Sequence, residues 1–236
     1  MRVVFLTGAG ISAESGLATY RGGDGLWDGL PVEQVASIAG WKRNRYLVNA
    51  FHDKLRREVL AARPNAAHDA IADLQRDADV TVVTQNVDDL HERAGSQKVV
   101  HLHGEILVAR STKDQSVTVP WTKDIEDDDR CPLGARLRPH VTWFGEDLDR
   151  DVLMAATSAM AKADLVAIVG TSLQVWPAAG LLSHCSPMQV HVVDSDPLVE
   201  VPHVQVEPRR WVTPATVGVP RVCVWVRMLQ RHATGV

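Results

Sequence analysis

Four short aliphatic runs, RVVFL (2–6), VTVVT (80–84), LVAIVG (165–170) and VHVVD (190–194), recur along the chain, separated by stretches whose apolar positions fall at helical spacing. Near-continuous apolar runs suit strands buried on both faces, and their alternation with helices suits a parallel sheet. The pattern predicts an α/β fold, a Rossmann-like, doubly wound parallel sheet. Between Trp41 and Arg63, the residues Leu47, Val48, Phe51, Leu55, Val59 and Leu60 share one helical stripe; Val152, Leu153, Ala156 and Met160 form a second within 151–163. Both stripes are expected to cover the sheet. From 105 to 138 the pattern changes: SVTVPW alternates like a strand, TKDIEDDDR reads as an acidic, solvated loop, and CPLGARLRP has no period. This stretch is read as a small inserted module. It leaves 1–104 and 139–236 as the main Rossmann-like domain, with a helical part of the small domain at about 31–63.

Composition changes this picture little. A chain of 236 residues, 45% hydrophobic and 23% charged, is an ordinary globular protein with enough length for one large core. Its net charge of -4 gives no general reason to bind nucleic acid. Three widely spaced cysteines, Cys131, Cys185 and Cys223, form neither a disulfide framework nor a CxxC pair, which suits a reducing cytoplasm. No apolar run reaches the roughly 20 residues of a membrane span, and the first strand follows Met1 too closely for a signal peptide.

Chemistry concentrates at the ends of the predicted strands. After the first comes GAGISAESG: Gly8 and Gly10 fit a dinucleotide fingerprint, with Ala13 in the third glycine place and Gly16 beyond it. Amides of Gly8, Ala9, Gly10 and Ile11 at a helix mouth would form an anion site suited to a pyrophosphate, with Arg21 adding a charge-assisted bond. A tight strand-to-helix turn with a surface arginine is the plain alternative. The second strand ends in Thr84, Gln85, Asn86 and Asp88, polar groups placed where ligands of open α/β sheets collect. Buried without partners, each would cost roughly 1–3 kcal/mol; a helix cap by Asp88 accounts for one of them. In VVHLHGE, read as a strand, the period of two puts His101 and His103 on one face, with Gly104 permitting close approach.

Six blocks, GAGISAESGLATYRGGDGLW, TQNVDDLHERAG, HLHGE, RPHVTWFGE, VGTSLQVWPAAG and PATVGVP, resemble the sirtuin family of NAD-dependent protein deacylases, in family order from Val4 to Pro220. The resemblance is to the compact bacterial type. It implies lysine deacylation that consumes NAD and yields nicotinamide and O-acyl-ADP-ribose, with His103 as general base. Asn86 and Asp88 would line the nicotinamide side and Gln85 would contact the ribose. Gly8, Ala9, Gly10, Ile11 and Ser12 would grip the pyrophosphate, while Tyr20, in place of the usual phenylalanine, and Arg21 would cover the ribose. Gly170, Thr171, Ser172, Asp194, Ser195 and Ala215 would hold the adenosine half; the family more often has asparagine at Asp194. An acyl-lysine peptide would lie between Phe144, Gly145 and Glu146 on one side and Val175 with Trp176 on the other, Val141 and Phe144 lining the lysine tunnel.

Two departures from the family stand out. Its structural zinc needs two CxxC pairs; here Cys131 is the one cysteine in that region and Ser111 stands where a first would, so zinc is not expected. Members that remove acidic acyl groups carry a Tyr-x-x-Arg pair; here His52 and Leu55 fall at those places, with Gly22 and Gly23 for the usual alanine pair, Arg56 or Arg57 as the alternative selector, and a plain polar helix face as the simpler reading of His52 and Arg56. Rival readings keep the nucleotide site: an NAD-dependent protein ADP-ribosyltransferase, a non-catalytic NAD or ADP-ribose sensor and, weakest, a hydride-transfer enzyme. No membrane or nucleic-acid partner is expected.

Overall fold

The computed structural model describes residues 1–21 and 26–234, without the side chains of Tyr20, Arg21, Ala233 and Thr234. The expectations placed on Gly22, Gly23 and those Tyr20 and Arg21 side chains therefore lie outside the described residues. In chain order the elements are β1 (Arg2–Thr7), β2 (Tyr20–Arg21), β3 (Leu26–Trp27), β4 (Leu30–Pro31), α1 (Val32–Val35), α2 (Ile38–Arg43), α3 (Arg45–Ala61), α4 (Ala66–Leu74), β5 (Asp79–Thr84), α5 (Leu90–Arg93), β6 (Val99–His101) and β7 (Gly104–Ser111). They continue with β8 (Thr118–Pro120), β9 (Leu137–Val141), α6 (Arg150–Lys162), β10 (Leu165–Val169), β11 (Gln189–Asp194), β12 (Arg209–Val212) and α7 (Ala215–Thr234).

Six parallel strands form the main sheet in the order β6-β5-β1-β10-β11-β12. Counted along the sheet's own strands this is the 3-2-1-4-5-6 order of doubly wound folds, reversing between β1 and β10. Alternation along the strands explains the two covered faces. Val3, Phe5, Val80 and Val82 point toward Ile71 and Leu74 of α4 and Val219, Val222 and Val226 of α7. Their neighbours Val4, Leu6, Val83, Val166 and Ile168 pack on Ala156 and Met160 of α6 and on the turn carrying Leu181 and Leu182. The α6 stripe thus lies where its sequence pattern puts it.

The other stripe does not. α3 turns Val48, Phe51, Leu55 and Val59 toward Ile106, Val141 and Trp143, the face of a second, antiparallel sheet in the order β8-β7-β9. Periodicity shows that a helix has an apolar face, not which sheet receives it. β9 emerges from the stretch that lacks a visible period because its residues Arg138 and His140 are polar yet pair with β7. This sheet runs from Gly104 to Val141, since Gly104 pairs with Val141, so its last strand crosses position 138. Gly104 sits at φ +81°, where a Cβ would come within 2.1 Å of the His140 carbonyl oxygen, so that pairing requires glycine.

Candidate active site at the sheet's switch point

β1, β5 and β10 end level, Thr7 beside Thr84 and Val169, so their following loops meet at one edge of the sheet. There a cavity of about 490 Å³ opens between the main sheet and the smaller one. The Gly8–Ser12 loop and the Gly170–Ser172 loop touch backbone to backbone: Gly170, at φ +58°, would put a Cβ 2.5 Å from the Ile11 nitrogen. This contact spends amides that the sequence reading assigned to an anion. Gly8 donates to the Val169 carbonyl (3.0 Å), Gly10 to Gly170 (2.9 Å) and Ile11 to Gly8 (3.1 Å), which leaves Ala9 as the amide of those four without a backbone acceptor among the described residues. Ile11 itself is buried beneath the loop, where its carbonyl accepts from Asn65 Nδ2 at 2.9 Å.

The polar groups after β5 find partners across these loops. Ser12 Oγ donates to Asp88 Oδ2 (3.0 Å) and accepts from Asn86 Nδ2 (3.2 Å). Asp88 Oδ1 accepts from the Leu90 amide (3.1 Å), so the carboxylate braces the entry to α5 while also holding Ser12, although the capping position itself falls on Asp89. Burial pushes the Asp88 carboxyl up, its hydrogen bonds opposing. Gln85 Nε2 donates to Thr171 Oγ1 at 2.9 Å and ties the β5 loop to the β10 loop. Asp194, ending β11, lines the same cavity, its Oδ1 accepting from the Asp196 amide at 2.9 Å; burial raises its carboxyl above the usual range. Ser195 is exposed and Ala215, the first residue of α7, is buried, and neither is part of the cavity wall.

The two histidines separate. The strand ends at His101 and the chain turns through Leu102 and His103, so a period of two does not relate them. His101 is bonded to the Asn86 carbonyl (3.0 Å) and Glu92 (2.8 Å); burial opposes its charge, but Glu92 holds its pKa above the ordinary value. His103 faces the cavity. Its Nδ1–H donates to the Gln85 carbonyl at 2.9 Å, which places the unprotonated position on Nε2. Burial lowers its pKa, so the neutral base form is favoured.

On the far side of the cavity the lip 141–146 is bolted down. Arg110 and Arg138 stand directly opposite each other across β7 and β9, a like-charge pair that is unfavourable without a counter-ion. Glu146 supplies it, accepting from Arg138 at 2.6 and 2.9 Å, from Arg110 at 2.8 Å and from the Trp143 amide at 2.9 Å. Burial opposes the Glu146 charge, but these partners hold its carboxyl below the usual range. Glu146 lines the cavity together with Val141, Phe144 and Gly145, yet its carboxylate is committed to the lip. Nothing in the sequence pattern signals this pairing, because it depends on the register of two strands.

His52 and Arg56 are absent from the cavity wall, a correction to their reading as substrate contacts. His52 is fully buried, donating through Nδ1 to the Val48 carbonyl (2.8 Å) and accepting from Trp143 Nε1 (3.2 Å); burial lowers its pKa to about 4. It stands one layer behind Trp143, which does line the cavity. Arg56 turns toward the small sheet, paired with Asp53 and donating to the Ile106 and Lys123 carbonyls. From α3 the wall receives Leu55 and Val59, joined by Leu17, Trp27 and Ala36. In the small sheet, Cys131 packs with Ala109, Ile125 and Leu137, and Ser111 Oγ accepts from the Lys113 and Asp114 amides.

A family model described as the Sir2 family matches residues 8–177, which include the glycine loop, Gln85–Asp88, His103 and the lip. The chain belongs to the Sir2 family. An NAD-dependent protein deacylase of Helicobacter pylori is 48% identical over 182 residues, covering 77% of this chain and 79% of that protein. One from Aggregatibacter actinomycetemcomitans is 47% identical over 195 residues, covering 82% and 93%. A solved Sir2 homolog–NAD complex is similar with a TM-score of 0.82 at 35% identity, covering 97% of this chain and 90% of that one. This Sir2-family chain thus shares the fold of that complex over nearly its whole length.

Proposed function

We infer that this chain is an NAD-dependent protein deacylase acting on acyl-lysine in proteins or peptides, with His103 as general base. The observation that carries the reading is His103 itself. Its Nδ1–H is fixed by the Gln85 carbonyl, it is kept neutral by burial, and its Nε2 opens into the switch-point cavity without a partner among the described residues. The residues fit NAD. The cleft lies where such folds receive dinucleotides, and the Asp194 carboxylate at the end of β11 suits a ribose diol. When bound, NAD supplies a ribose–nicotinamide bond whose cleavage drives removal of the acyl group. His103 takes up a proton at Nε2. Ser12, Asn86 and Asp88 hold one another in register at the floor, and Gln85 with Thr171 fixes the spacing of the two loops that flank the cleft. The lip 141–146 and the Val175 segment face each other across the cavity and suit an extended substrate segment.

Neutral acyl groups suit this site better than acidic ones. Leu55 and Val59 form the wall contributed by α3, and no lysine or arginine is among the described lining residues. An unpaired carboxylate there would be costly. Free, buried thiols at Cys131, Cys185 and Cys223 support action in a reducing compartment such as the cytoplasm, and no helix among the described residues is long and apolar enough to cross a membrane.

Incubation with NAD and acetyl- or succinyl-lysine versions of one peptide, followed by mass spectrometry, tests both statements. Nicotinamide release coupled to free lysine, with kcat/KM at least about tenfold higher for acetyl, is the expected result, and Leu55→Arg should narrow that ratio. Absence of coupled deacylation removes the function, while a succinyl preference removes the acyl assignment.

A further inference from the structure

Trp176 sits on the loop after β10, lines the cavity, and keeps 65% of its surface exposed. An indole left in water forgoes one of the largest burial gains available to a side chain. The ring is nevertheless held in place. Its Cζ3 lies over Gly180, where a Cβ would come within 2.5 Å, and its plane meets the His203 ring edge-on, centroids 6.4 Å apart at 76°. His203 sits at φ +66°, a backbone state that non-glycine residues adopt rarely. A fixed and exposed indole at the mouth of a cleft presents a platform. The cavity it lines also carries Asp194 and Asp196, no lysine or arginine is among the described lining residues, and the chain carries a net charge of -4.

We propose that Trp176 is a specificity-determining residue whose indole face receives the guanidinium of an arginine flanking the acyl-lysine in the substrate. The inference rests on the deacylase reading and names the substrate class for that same site. Tryptophan offers the most favourable ring face for a cation, and a cavity whose described lining carries carboxylates and no basic side chain favours a cationic flank over an anionic one. Because Gly180 sets where the ring lies, its side chain must stay small for the platform to form.

The test uses acetyl-lysine peptides identical except for arginine, alanine or glutamate at the position beside the acyl-lysine, on either side. Wild-type enzyme is expected to favour arginine over alanine by about fivefold in kcat/KM and to place glutamate last. In Trp176→Ala the arginine-to-alanine ratio falls to about one, and in Gly180→Ala, which keeps the indole but displaces it, the ratio falls as well. No arginine preference in the wild type, or one that persists unchanged in Trp176→Ala, overturns the proposal. A preference that survives Trp176→Ala and disappears at high salt also overturns it, since the carboxylates alone would then account for it. Wild-type turnover without flanking preference refutes this inference alone. Absence of NAD-dependent turnover of every peptide refutes the deacylase reading beneath it.

Discussion

His103 owes its chemistry to one carbonyl. With Nδ1–H donated to Gln85, Nε2 is left to accept a proton, and burial keeps the ring neutral. In the proposed role the ring acts while unprotonated, so activity should be lost as pH falls through its pKa. That pKa is lowered, and the acid limb of kcat/KM should therefore lie below the ordinary histidine value of about 6.5. A limb at or above that value contradicts the assignment. His103→Ala should reduce deacylation by roughly 100-fold or more while leaving NAD binding, followed by calorimetry, close to wild type, because the loops around Gly10 and Gly170 are untouched. His101→Ala should be milder, since that ring is tied to Glu92 and the Asn86 carbonyl rather than facing the cavity. At this scale the sequence marks Gln85, Asn86, Asp88 and His103, which the fold brings to one cavity, whereas the separation of the two histidines follows from a turn that alternation alone does not reveal.

The small sheet shows how an element is held by charge and by packing. Arg110 and Arg138 are buried and face each other across the ladder, with Glu146 as shared counter-ion. Glu146→Gln leaves two buried guanidinium groups under-compensated and should cost about 3 kcal/mol in chemical denaturation. It should also raise the KM for acyl-peptide more than that for NAD, because the lip 141–146 is what Glu146 holds. A change under about 0.5 kcal/mol would show that the triad contributes little. The opposite face of this sheet closes over Ala109, Ile125, Cys131 and Leu137, with Val117, Val119 and Trp121 packed against them. Its expected donor set for zinc is one thiol: Ser111 Oγ is occupied by two amides, and Gly134, at φ +72°, offers no side chain. The sheet should remain folded in chelator, and elemental analysis should find no stoichiometric zinc. Unfolding after chelation would reverse that expectation.

Across the whole molecule, buried neutral histidines tie stability to pH. His52, His68 and His191 are almost fully buried, and burial lowers each pKa to about 4. Their unfolded value is about 6.5, so their contribution is fully present above that pH and is lost as pH falls toward about 4, by at most roughly 3 kcal/mol each. His101, whose pKa is raised, works in the opposite sense. Melting temperature should therefore drop steeply below pH 6.5, and His52→Gln, which retains side-chain hydrogen bonding without titrating, should flatten that slope; an unchanged slope would count against His52. The sequence by itself determined the doubly wound sheet, because RVVFL, VTVVT, LVAIVG and VHVVD are apolar on both faces and can rest only between two layers of helix. It also marked the glycine loop, Gln85–Asp88 and His103, since unusual residue types at strand ends are visible without coordinates. Tertiary structure alone decided that α3 covers the small sheet, that Arg56 turns away from the cavity while Leu55 and Val59 face it, that most loop amides bond to backbone, and that Glu146 joins two arginines. Each of these depends on which surfaces meet across long sequence separations, and a local pattern records only that a surface exists.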